Sequence, residues 1–158
     1  DKYTSDLTAL PNLKQFQQDW EKFAEIRCPF CLAFIDIDNF KAINAEIGHD
    51  KADVVIIELS EILRSLLNGR GKLYHRSGDE FLAYLPNSDG KEADYLFERV
   101  ISIVTQHSFT GLPRNISISA GIAQYERGMP LDALSENANL AMKQAKEQGK
   151  GRAFVFGS

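Results

Sequence analysis

The stretch Leu73-Tyr74-His75-Arg76-Ser77-Gly78-Asp79-Glu80-Phe81-Leu82-Ala83-Tyr84-Leu85 decides the fold. Both flanks are strand-like and Gly78 breaks between them, which predicts a hairpin with strands over 72–75 and 80–85. Its turn carries two adjacent carboxylates, Asp79 and Glu80. Adjacent acids at a tight turn repel each other unless a cation sits there, and a divalent metal meets that need. Asp and Gly are also ordinary turn residues, so a solvated turn is the competing reading.

A second acidic cluster, Asp36-Ile37-Asp38, follows the apolar run Cys31-Leu32-Ala33-Phe34-Ile35. That run has no polar alternation, so it reads as a strand over 30–36 buried on both faces. Asp36 then sits at the carboxyl end of a central strand, either as a turn residue or as a metal ligand. Asn39-Phe40-Lys41-Ala42-Ile43-Asn44 starts a helix, with Asp38 or Asn39 placed to cap it and free backbone N–H groups nearby. Helical pattern continues to Leu67, interrupted at Gly48-His49. A right-handed crossover makes the first hairpin strand parallel to the Asp36 strand, and in a split βαβ sheet the second hairpin strand lies beside it. Both acidic clusters then converge at one end of the sheet.

The remaining pattern predicts helices over 12–26, 40–47, 52–67, 94–105 and 131–148, with Gly149 closing the last. A half-buried strand over 116–123 and a closing strand over 153–156 complete the set. With 158 residues and 44% hydrophobic content, one domain over 1–158 with a proper core is expected. A net charge of −4 argues against broad nucleic-acid binding. No segment approaches about 18 uninterrupted apolar residues, so no membrane contact is expected of this segment. Cys28-Pro29-Phe30-Cys31 precedes a strand rather than a helix, has no second Cys pair, and reads as two reduced thiols. His49, His75 and His107 show no ligand spacing.

These residues resemble the GGDEF domain, the catalytic module of diguanylate cyclases. Asp6-Leu7-Thr8-Ala9-Leu10-Pro11-Asn12 is similar to the family's opening D-x-L-T-G-L-x-N. Asp36-Ile37-Asp38-Asn39-Phe40-Lys41-Ala42-Ile43-Asn44 matches D-x-D-x-F-K-x-I-N. Gly48-His49 followed by Asp53 matches G-H-x-x-G-D, and Ser77-Gly78-Asp79-Glu80-Phe81 stands in place of the name-giving motif. Ser117-Ile118-Ser119-Ala120-Gly121-Ile122-Ala123 resembles S-x-G-I-A, and Ala145-Lys146 with Gly149-Lys150-Gly151 resembles A-K-x-x-G-R-N. The six pieces occur in order, at family spacing, over nearly the whole chain.

The resemblance implies an α/β (α+β) fold: a ferredoxin-like, nucleotidyl-cyclase-type central sheet, mostly antiparallel and flanked by helices. It implies that two GTP molecules become cyclic di-GMP and two pyrophosphates, one GTP per domain in a facing pair. It assigns Asp36, Asp79 and the Ile37 carbonyl to the metal, Mg²⁺ or Mn²⁺ in its place, with Glu80 helping to hold a second ion. Asp79 is the general base by the same analogy, and Lys41 stabilises transition-state charge. Asn39 and Phe40 offer backbone N–H groups to phosphate, Asn44 and Asp53 read guanine, and Lys146 and Lys150 grip the triphosphate. Read from spacing alone, Asn44 could simply end a helix, Asp53 cap the next, and Lys41, Lys146 and Lys150 be solvated.

The chain departs from the family pattern at Ser77, Ala52 and Lys150, and also at Leu13 and Ala45. Ser77 is strained if its position needs a positive φ, and is tolerated if the position needs only a small residue. Lys150 keeps charge but loses bidentate phosphate contact. The family's inhibitory R-x-x-D positions fall on Asn68 and Gly71, so no inhibitory product site is expected. Three functions follow: an active diguanylate cyclase, a degenerate domain that binds GTP and regulates a fused partner, and a related cyclase making mixed or other cyclic dinucleotides, against which Asp53 argues. The chain opens almost at the first motif, which suggests a fragment of a longer, cytoplasmic or membrane-anchored protein whose sensory or regulatory domain is missing.

Overall fold

Residues 1–158 are described by a computed structural model. Along the chain run α1 (Leu13–Glu25), β1 (Phe30–Ile37), α2 (Phe40–Ile47), α3 (His49–Leu67), β2 (Lys72–Ser77) and β3 (Glu80–Pro86). They are followed by α4 (Gly90–Gln106), β4 (Ile118–Gln124), α5 (Leu131–Glu147) and β5 (Ala153–Val155). The five strands form one sheet in the order β2-β3-β1-β4-β5. β1 is antiparallel to β3 and to β4, β2 is antiparallel to β3, and only β4–β5 is parallel. The split βαβ arrangement expected from the hairpin is therefore present, with β3 between β2 and β1.

β1 is the hinge of the architecture because its side chains alternate between two apolar layers. Cys31, Ala33, Ile35 and Ile37 face a core built with Leu59 and Leu63 of α3 and Phe97 and Val100 of α4. Phe30, Leu32 and Phe34 face the opposite layer, with Phe16 of α1 and Leu134 and Ala138 of α5. Asp36 shares the even-numbered side, so it points into the α1/α5 layer just where β1 runs out. α1 is tied to the hairpin by Asp19, which accepts from Tyr74 Oη at 2.6 Å, Lys72 Nζ at 2.9 Å and Gln15 Nε2 at 2.9 Å.

α5 lies unusually close to the sheet. A Cβ at Gly121 of β4 would stand 2.3 Å from the Ala138 carbonyl oxygen and 2.3 Å from the Met142 nitrogen. Only glycine permits that approach, and it seats the far end of α5 over the end of β1. No helix is long and apolar enough to cross a membrane.

Three expected boundaries are corrected. α3 begins at His49, not Ala52: Gly48, at φ +87°, separates it from α2, and its carbonyl already accepts from Ala52 N. α4 begins at Gly90, not Asp94, because Asp89 caps it. The Asp89 carboxylate accepts from Glu92 N at 2.8 Å, and Glu92 Oε1 accepts from Asp89 N at 3.1 Å, a reciprocal capping box. β4 begins at Ile118, not 116, and is buried on both faces rather than half-buried, since α4 and α5 cover it from either side. Cys28 and Cys31 are free, the first exposed and the second buried.

Candidate active site

The β1–β3 register pairs Asp36 with Glu80, which brings the end of the central strand against the hairpin turn. Gly78 takes φ +50° there, while Ser77 is not among the positive-φ residues. The serine is therefore unstrained and the position tolerates it. Asp79 Oδ2 accepts from the Ile37 backbone N–H at 3.2 Å. Asp36 Oδ2 accepts from Lys146 Nζ at 2.8 Å, while its Oδ1 is buried without a partner. Glu80, by contrast, accepts from Ser77 Oγ at 3.0 Å.

Burial pushes the Asp36 carboxyl above its ordinary value of 3.8; Lys146 opposes the shift, and Asp79 and Asp38 add to it. Burial likewise pushes Asp79 up, opposed by its own amide and that of Ile37, with Glu80 adding to the rise. Two neighbouring carboxylates that are costly to ionise, one with an orphaned buried oxygen, suit a hard divalent cation. The donor set is partial: no three His, Cys, Asp or Glu side chains gather in metal-holding geometry. Asp36 and Asp79 supply the side-chain carboxylates, and further oxygens would have to come from backbone, water or ligand.

The start of α2 adjoins this pair. Asn39 takes φ +58° at the N-cap position, a conformation asparagine tolerates, and its side chain makes no cap bond. Instead Asn39 Oδ1 accepts from Lys150 Nζ at 2.6 Å. Asp38 does not cap the helix either; Ala42 N donates to the Asn39 carbonyl, and the Phe40 and Lys41 N–H groups of the first turn are left for an outside acceptor. Phe40, half-buried, anchors that turn in the larger core. Lys41 is exposed beside it.

Both lysines reach the site through the end of α5. Gly149 N donates to the Lys146 carbonyl and Lys150 N to the Ala145 carbonyl, a Schellman closure with Gly149 at φ +121°, and Lys150 follows it at φ +66°. Lys146 is thus not a solvated helix lysine, and Lys150 lies past the helix. Farther along, Asn44 on α2 has a buried Oδ1 without a partner. Asp53 is half-buried in the second turn of α3 and does not cap it.

The sequence reading missed the role of Asp38. This residue is only 3% exposed. It accepts from Ser117 Oγ at 2.5 Å, Ser119 Oγ at 2.6 Å and Gly151 N at 2.9 Å. One carboxylate therefore joins the end of β1, the start of β4 and the turn bearing Lys150. A signal existed in the serines at 117 and 119, which share one face of an extended segment.

The sequence matches the family model described as "Diguanylate cyclase, GGDEF domain" over residues 3–152. A diguanylate cyclase of Vibrio cholerae serotype O1 is 28% identical over 97% of this chain and 49% of its own length. Diguanylate cyclase DgcM of Escherichia coli K12 is 32% identical over 94% of this chain and 37% of its own length. The chain thus spans about half the length, or less, of these relatives. The solved GGDEF domain of DgcB from Caulobacter crescentus, in complex with c-di-GMP, superposes with a TM-score of 0.91. It is 25% identical, over 100% of this chain and 95% of that one. A match of this extent, over the acidic turn, the β1 end and the lysine-bearing α5 turn alike, makes the chain a member of the diguanylate cyclase GGDEF-domain family.

Proposed function

We propose that the chain is an active diguanylate cyclase domain that condenses two GTP into cyclic di-GMP and two pyrophosphates. The observation that carries this reading is the Asp36–Asp79 pair, with the unpartnered Asp36 Oδ1, set beside a helix start and two lysines. A domain that bound neither metal nor nucleotide would have no need to keep two buried carboxylates that are costly to ionise. Mg²⁺ held by Asp36 and Asp79 would neutralise triphosphate charge and acidify the attacking hydroxyl.

The chain's own groups divide the remaining work. The free amides at the start of α2 receive β- and γ-phosphate oxygens. Lys150 exchanges Asn39 for phosphate, Lys146 does so from Asp36, and Lys41 faces the charge that builds on the transferring phosphoryl group. Asp79, already raised by burial, takes the proton from the 3′-hydroxyl as its oxygen bonds to the α-phosphorus of the other GTP and pyrophosphate leaves. Glu80 lies next to it for a second ion. Asn44 Oδ1 accepts from a guanine N–H and Asp53 offers its carboxylate to the same edge; adenine lacks that donor set. One site holds one GTP, so a second copy of the domain must face the first.

Product inhibition through the R-x-x-D positions is absent in this reading. Asn68 has no charge, and a Cβ at Gly71 would meet the Tyr84 carbonyl oxygen at 2.4 Å. The test is incubation with GTP and Mg²⁺, read by chromatography at several protein concentrations. Cyclic di-GMP should form, with specific activity rising with concentration. Tight GTP binding without any product would instead support the regulatory, turnover-silent alternative.

A further inference from the structure

His75 lies on β2, 6% exposed, with its ring 5.2 Å from that of the fully buried Phe81. Both ring nitrogens are bonded. Nε2 stands 2.8 Å from the Gly78 carbonyl oxygen and Nδ1 2.7 Å from Ser5 Oγ. A carbonyl only accepts, so Nε2 carries the proton. The Ser5 hydroxyl either donates to a bare Nδ1 or accepts from a protonated one, so both bonds survive in either state.

The Gly78 carbonyl belongs to the peptide group that leads into Asp79. A bond to that oxygen fixes the plane of the peptide and with it the direction in which the Asp79 side chain leaves the turn. This matters here because the pairing of β2 with β3 is irregular between His75 and Ser77, so the ladder is broken just behind the Ser77–Glu80 pair that closes the turn. Asp79 is therefore held twice: its backbone through His75, its carboxylate through the Ile37 N–H.

Ser5 is itself the knot of the N-terminal loop. Its N–H donates to the Leu10 carbonyl, its carbonyl accepts from Ala9 N, and its Oγ accepts from Thr8 N. His75 N donates to the Pro11 carbonyl at 2.9 Å, which docks the same loop on β2. We infer that His75 is a positioning residue for Asp79, and that Ser5 couples the placement of the N-terminal loop to the catalytic turn. The relay runs Ser5–His75–Gly78–Asp79. The inference rests on the reading of Asp79 as metal ligand and base.

The test compares His75→Met, which fills the space without a donor, His75→Gln, which keeps one donor and one acceptor, and Ser5→Ala. Mn²⁺ affinity is measured by electron paramagnetic resonance with a non-reactive GTP analogue, and kcat and KM with GTP; thermal melting reports the fold. His75→Met should lower kcat and Mn²⁺ affinity about 10- to 100-fold, the range for groups that orient metal ligands. KM should stay within about threefold, because binding of the nucleotide is not what is lost. His75→Gln should recover most of the loss, and Ser5→Ala should show a smaller loss in the same two quantities.

Parent-like kcat and Mn²⁺ affinity in a folded His75→Met would overturn the role. So would His75→Gln behaving no better than His75→Met at an unchanged melting temperature. Should His75→Met not fold, Ser5→Ala decides, and parent-like values there remove the coupling. A parent that binds no Mn²⁺ with the analogue would instead show that the metal reading itself is wrong.

Discussion

The acidic half of the site is built into the sheet, whereas the basic half hangs on α5 and the turn behind it. Asp36 and Glu80 are register partners, flanked by the buried pair Ile35 and Phe81, so strand pairing itself sets where the carboxylates stand. Lys146 and Lys150 depend on a longer chain of contacts. α5 must lie on β4 at Gly121, the Schellman turn must close, and Asp38 must hold Gly151. Backbone pairing freezes like charges together and leaves their repulsion in the fold. Lysines on long flexible stems can change partner when a ligand arrives. One half stores the electrostatic demand for a cation, and the other supplies charge that moves.

Breaking the acidic half should have the largest effect. Asp36→Asn and Asp79→Asn should each cut turnover by more than about 100-fold, beyond the range typical of groups that only orient a ligand. Circular dichroism should show the fold intact, and near-parent turnover in either would dissolve the distinction between the halves. Next in size is Asp53→Ala. It should weaken GTP binding about 10- to 100-fold by calorimetry, the worth of a hydrogen bond to a charged group, while ATP binds poorly to the parent. Equal affinities for ATP and GTP in the parent would remove guanine reading from Asp53. The basic half is sharpened by Lys150→Arg, which restores a bidentate phosphate contact and should tighten GTP binding by only about two- to fivefold. A loss of affinity would place Lys150 away from the triphosphate.

The smallest effect concerns stability without ligand. Asp36 and Asp79 both have folded-state pKa values above 3.8. The folded state then holds more protons than the unfolded chain just above that value. The stability these groups contribute is fully present below pH 3.8 and is lost as pH rises through the folded-state values, so neutral pH carries the full penalty. Asp79→Asn keeps an oxygen for the Ile37 N–H and removes that charge. It should raise the melting temperature at pH 7 by about 2 °C, with the gain shrinking toward pH 4. A lower melting temperature at pH 7 would mean that the carboxylate stabilises the fold.

The same contrast governs what could be read in advance. The hairpin, the doubly buried β1 and the closure at Gly149 follow from patterns within a few residues, and the acidic convergence follows from crossover handedness. The start of α4 was also legible, since Asp89 and Glu92 form a capping-box spacing. The partners of the polar groups were not. Asp38 meets residues 79 to 113 positions away, and Lys150 meets Asn39 at a separation of 111. His75 was dismissed as a ligand for want of spacing, yet its work lies in a bond to the Gly78 carbonyl and another to Ser5, 70 positions away. Such contacts arise only once strands are in register and α5 is seated, and no local periodicity encodes them.

The most direct test of the central claim is a Mn²⁺ titration of the parent, Asp36→Asn and Asp79→Asn with a non-reactive GTP analogue, followed by electron paramagnetic resonance. Saturable binding in the parent and its loss in both variants is the predicted result. Equal Mn²⁺ affinity in all three proteins would contradict the assignment of the β1 end and the hairpin turn as the metal-holding half of the site.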